Sequence, residues 1–197
     1  ITLNASGTDT VAIKARAFNF TELDTTASTT TPGAPTGSVY LPAGDSTDVL
    51  VTAKIGSASA LINTSSQGWG VKADTNGGGN AAQTLDFGES ISIGFYTNGS
   101  LENGLDNNDK LKGVQDFRFT PSGYTGSLTA ANLTVTVTVV PKDTTDGPVT
   151  TLTLNLSGLA KDQPVTLSNY LANYNGSNYS FANGYLIQTV KIENMST

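Results

Sequence analysis

The chain has 197 residues, enough for one domain with a sizeable core. Charged residues make up 13% of it and hydrophobic residues 37%; Ser and Thr fill the difference, giving the hydroxyl-solvated surface common on extracellular β-proteins. A net charge of −6 with no basic run disfavours nucleic acid, and the absence of Cys and His removes thiol and imidazole nucleophiles, disulfides, and zinc or haem ligation through nitrogen or sulfur.

In chain order, Ile1, Leu3 and Ala5 alternate with Thr2, Asn4 and Ser6, which predicts a short strand over residues 1–7 closed by Gly7. Thr10 to Phe20 reads as a second strand. Its Val11 and Ile13 differ in parity from Phe18 and Phe20, so it needs a bulge near residues 15–17 or a move between sheets. Residues 22–37 are rich in Thr, Pro and Gly and by themselves read as a flexible linker; as an ordered loop they would pack against another part of the protein or a neighbouring subunit. Strands follow at Ser38–Leu41, Asp48–Ile55, Ala58–Ile62, Trp69–Ala73, Ser90–Thr97 and Gly113–Thr120. Asp48–Ile55 is partly apolar on both faces, as a central strand would be.

The strongest pattern is at Ala130–Val140 and Val149–Leu159. Leu133, Val135, Val137 and Val139 alternate with Asn132, Thr134, Thr136 and Thr138, and Leu152, Leu154 and Leu156 alternate with Thr151, Thr153 and Asn155. With the turn cluster PKDTTDGP between them, they predict a long antiparallel hairpin, dry on one face and wet on the other. Val165–Tyr174 is the one helix candidate, with Ser168 as N-cap and Leu171 and Tyr174 on a common face. Asn178–Asn183 and Gly184–Glu193 close the chain as strands, the latter placing Leu186, Gln188, Val190 and Ile192 on one face. The expected fold is a single all-β domain over 1–197: an antiparallel β-sandwich, jelly-roll-like or immunoglobulin-like, with at most one short helix.

Oxygen-bearing side chains cluster in loops, above all in ENGLDNNDKLKG, where Glu102, Asp106, Asn108 and Asp109 offer the donors that Ca2+ takes. The spacing is not that of an EF-hand, and Asx residues are also ordinary turn formers. Trp69 with Tyr96, Tyr124, Tyr170, Tyr174 and Tyr179 would make a sugar-stacking surface; a strand tryptophan between glycines more commonly packs in a sheet. Asp86, Glu89, Asp106, Asp109 and Asp116 include no acid pair set among aromatic platforms, so no enzyme is expected. Lys14, Lys54 and Lys191 on strands are candidates for internal isopeptide bonds, though solvated lysines are far commoner. No cofactor is required.

N-x-S/T sequons occur at Asn4, Asn19, Asn63, Asn98, Asn132, Asn155, Asn175, Asn178 and Asn194, about twice what composition alone generates. Asn132 and Asn155 fall on the wet face of the long hairpin, where a glycan would leave the core undisturbed. The first residue, Ile1, has no basic-then-apolar leader, the expectation for a secreted product whose signal peptide is cleaved, and no apolar run is long enough to span a bilayer.

The stretch GWGVKADTNGGGNAAQTLDFGESISIGFY, Gly68 to Tyr96, resembles segments of secreted prokaryotic surface β-sandwich proteins, in which a glycine-flanked apolar pair and a loop lead into a D-x-G-E-S-I strand. With its N-terminal strand, PAGDS turn and Thr-rich hairpins, the whole chain is similar to subunits of extracellular filaments of the TasA and camelysin type, including archaeal pili, threads and cannulae. That resemblance implies a homopolymer assembled by donor-strand complementation. Independently, an edge strand presents unpaired N–H and C=O groups that a neighbour's extended segment can satisfy, and a head-to-tail contact propagates. Ile1, Leu3 and Ala5 are spaced as the donor's plugs, with Leu186, Val190 and Ile192 as the C-terminal competitor. The alternative is a secreted, Ca2+-dependent carbohydrate-binding or adhesin module.

Overall fold

The computed structural model describes residues 38–42, 47–65, 68–72, 85, 87–97, 111–121, 130–142 and 148–195. Its strands are β1 (Ser38–Pro42), β2 (Thr47–Ile55), β3 (Ala58–Ser65), β4 (Gly68–Lys72), β5 (Glu89–Thr97), β6 (Arg118–Phe119), β7 (Ala130–Pro141), β8 (Thr150–Ala160), β9 (Val165–Thr166) and β10 (Tyr185–Asn194). One short helix, α1 (Leu167–Leu171), and a 3-10 turn at Phe181–Asn183 lie between β9 and β10. The chain is all-β and antiparallel, as its alternating pattern predicts. Eight strands form one sheet in the order β4-β3-β2-β5-β10-β7-β8 with β1 also on β2, and β6 pairs with β9 in a separate ribbon. A second large sheet facing the first is not among the described residues.

β2 is central, as its two half-apolar faces require. β5 pairs along its whole length, and the opposite side is shared by β1 on Asp48–Thr52 and β3 on Ala53–Ile55. The β2–β3 turn holds two residues, with Gly56 at φ +58 in the first central position that a type II′ turn reserves for glycine. Beyond Ala60, β3 leaves β2 and pairs with β4 through Leu61–Ser65, so the sheet curls.

β7 and β8 form the predicted hairpin in register Thr136↔Thr153 and Val137↔Leu152. Val135, Val137 and Val139 are fully buried, and Leu152, Leu154 and Leu156 nearly so, while Thr151, Thr153 and Asn155 are exposed. Ser157 and Gly158 together oppose Asn132, a bulge in which Gly158 takes φ +68 and Asn132 Oδ1 accepts its N–H at 3.1 Å.

The core joins the dry face of this sheet to Phe117, Phe119 and Val165 of the ribbon region and to Leu167 and Leu171 of α1. Phe95 and Phe117 meet at 6.1 Å between ring centroids, and Phe117 and Phe119 at 6.3 Å. Several local expectations change. The strand expected over Gly113–Thr120 is only Arg118–Phe119, with Val114 in an isolated bridge to Ile187. The helix is one turn, because Val165 and Thr166 pair with Phe119 and Arg118. Ser168 is not its N-cap; Asp116 Oδ1 accepts the Ser168 N–H at 3.0 Å from across the ribbon. Asn178–Asn183 is no strand but ends in the 3-10 turn, closed by Gly184 at φ +84.

The last strand carries a bulge at Gln188, between Ile187↔Val139 and Thr189↔Thr138. Its face therefore switches: Ile187 and Val190 are buried, and Leu186 turns to cover Gly113. The bulge lies where β10 parts from β5, whose pairing ends at Thr189↔Gly94. Residues 111–114 fill the gap, Leu111 bridging to Tyr96 and Val114 to Ile187.

Candidate functional site

β8 ends the sheet, and β7 is its one strand partner among the described residues. An antiparallel strand directs the N–H and C=O of alternate residues to opposite neighbours. Thr153 directs its pair outward: the Tyr174 hydroxyl accepts the Thr153 N–H and donates to its C=O, both at 3.3 Å. By the same alternation Thr151 and Asn155 face that outer edge. The strand TTLTLNLSGLA contains no charge and no proline, the usual devices that stop a sheet edge from recruiting another strand.

Tyr174 is brought there by local chemistry. Tyr174 and Ser177 exchange hydrogen bonds of 2.8 and 2.9 Å around Asn175 (φ +50) and Gly176 (φ +80), the two positive φ values of a type I′ turn. Tyr179 N–H donates to Leu171 C=O at 2.8 Å, tying the turn to α1. The rings then stack edge-on, Tyr174 to Tyr179 at 6.2 Å and Tyr179 to Tyr185 at 5.1 Å. Lys142 Nζ sits 4.6 Å above Phe181, so an aromatic band flanks one end of the hairpin. Of the predicted sugar-stacking residues, Tyr174 and Tyr179 are brought together. Tyr170 is exposed on α1, Tyr96 lies on β5 over Gly94, Trp69 is on β4 at the opposite end of the sheet, and Tyr124 lies outside the described residues.

The expected donor residues Ile1, Leu3 and Ala5, the 22–37 loop and the calcium candidates Glu102, Asp106, Asn108 and Asp109 lie outside the described residues, as do Asn4, Asn19 and Asn98. Among the described residues no three acidic side chains gather to hold a metal. Asn63 lies on β3. Asn132 and Asn155 are exposed on the wet face, Asn155 Oδ1 accepting the Thr134 hydroxyl at 3.3 Å. Asn175 is exposed at the turn tip. Asn178 is exposed too, its Oδ1 accepting from the Ser180 N–H and hydroxyl at 3.0 and 2.7 Å. Asn194 is half-buried, and its Nδ2 donates to the Leu85 carbonyl. Lys191 pairs with Glu193, Lys54 is exposed, and Lys14 lies outside the described residues.

Sequence reasoning missed that β8 stands last in the sheet among the described residues. The signal present was the uncharged, proline-free run followed by an Asn-Gly turn with tyrosine before it. These features define an all-β protein whose large antiparallel sheet ends in an uncharged strand. No protein-family model, curated protein or solved structure matches the chain.

Proposed function

We propose that this protein is an extracellular structural subunit, secreted and glycosylated, that polymerises with copies of itself into a surface filament by donor-strand complementation. The observation that carries this reading is the outer edge of β8 at Thr151–Asn155, part of a strand without charge or proline that stands last in the sheet among the described residues. Such an edge recruits a further strand unless something blocks it. The low charge of the whole chain and the strand-like segment at residues 1–7 support the same reading. Negative-stain electron microscopy with size-exclusion chromatography tests it: the wild-type chain forms filaments or very large species, and deletion of residues 1–6 leaves a 20 kDa monomer. Normal filaments from the deleted chain would remove the N-terminal strand as donor. The second reading, a Ca2+-dependent carbohydrate-binding or adhesin module, is favoured by the Tyr174–Tyr179–Tyr185 stack. Glycan-array binding by a monomer, abolished by chelator, would establish that reading instead.

A further inference from the structure

We propose that β8 is the acceptor edge, that its occupant is Ile1–Ser6 of a second copy, and that the Tyr174 hydroxyl is a latch which the incoming strand displaces. The inference rests on the filament reading. It starts from one pair of hydrogen bonds: Tyr174 occupies both backbone groups of Thr153, the places a neighbouring strand's C=O and N–H would take. The latch is small, a single hydroxyl at 3.3 Å on an exposed site. Thr151 and Asn155, two residues to either side, present the remaining outward groups of this half of the strand.

The occupant follows from pattern and charge. Ile1, Leu3 and Ala5 repeat the spacing of Leu152, Leu154 and Leu156, and Thr2, Asn4 and Ser6 that of Thr151, Thr153 and Asn155. Added antiparallel or parallel, such a strand continues the dry row on one face and the Thr/Asn row on the other. No side-chain charge on either segment would be desolvated. β1, the first described strand, pairs with β2, and β2 stands four strands from β8 in the sheet order. A contact joining two different surfaces of neighbouring copies is the kind that propagates.

The chain has no cysteine, so introduced ones report cleanly. Full-length Thr2→Cys is mixed under oxidising conditions with full-length Thr151→Cys, Thr153→Cys or Asn155→Cys, and with Leu61→Cys on β3 as control. A disulfide-linked dimer at one β8 position and none at Leu61 is expected. Linkage to Leu61 as readily as to β8, to no β8 position, or between two β8 variants alone would overturn the proposal. Thr151→Pro with Asn155→Pro removes outward N–H groups without touching the ladder to β7, and is expected to abolish filaments while the circular dichroism stays native. Tyr174→Phe is expected to shorten the assembly lag about threefold, the scale of one exposed hydrogen-bonding hydroxyl. Filaments unaffected by both changes would leave the filament reading standing and sink β8 as acceptor. If the wild-type chain forms no filaments, the filament reading fails by itself. A synthetic ITLNASG peptide then decides the edge: slowed amide exchange at Thr151, Thr153 and Asn155 supports it, and unchanged exchange refutes it.

Discussion

Gly113 has no room for a side chain. A β-carbon built on it would overlap Leu186 Cβ and crowd Leu186 Cδ1 at 2.9 Å, so the 111–114 segment could not lie against β10. Gly113→Ala is therefore expected to destabilise the fold by about 1–3 kcal/mol, read as a lower urea midpoint with unchanged slope. Gln188 is the opposite case. It is 5% exposed at the β10 bulge, and among the described residues its side-chain amide has no hydrogen-bond partner. An unpaired buried amide costs about 1–3 kcal/mol, so Gln188→Met, similar in length and shape, is expected to raise stability by about 1 kcal/mol. A lowered denaturation midpoint would show that the amide is satisfied within the bulge.

At the scale of elements, the single helical turn α1 cannot stand on its own propensity, since nucleation costs more than five residues return. It is held by Leu167 and Leu171 in the core and by Asp116. That carboxylate accepts the Phe117 N–H at 2.9 Å and the Ser168 N–H at 3.0 Å, with Arg118 Nε at 3.4 Å from its other oxygen. Asp116→Ala strips the acceptor from two backbone donors and is expected to cost about 2 kcal/mol, whereas Asp116→Asn, which keeps the Oδ1 acceptor, recovers most of it. Equal losses for the two variants would mean that charge, not the acceptor geometry, holds the turn. The long hairpin needed no such help to be legible. Its alternation is strict from Leu133 to Val139, with the apolar residues buried and Thr134, Thr136 and Thr138 half-buried. β10 was legible as a strand but not in its facing, because one inserted residue reverses parity.

At the scale of the whole molecule, the sheet is asymmetric. One end curls away through β3 and β4, and the other stops at β8. If the Asx-rich loops bind calcium at the joints between subunits, removing it with chelator is expected to shorten filaments and raise the monomer fraction in chromatography. Filament length that does not change with chelator would confine those residues to turn formation.

The antiparallel β class, the β7–β8 hairpin with its dry and wet faces, the central place of β2 and most strand positions among the described residues were legible in the residue pattern. These depend on period-two alternation and on turn chemistry, which act between residues close in the chain. What depends on distant contacts is that α1 is one turn capped by Asp116, that Gln188 is a bulge, and that β8 stands last among the described strands with Tyr174 on Thr153. Each of these is a contact between segments far apart in sequence, Asp116 with Ser168, Val114 with Ile187 and Thr153 with Tyr174, and no local pattern encodes which distant segment fills a given gap.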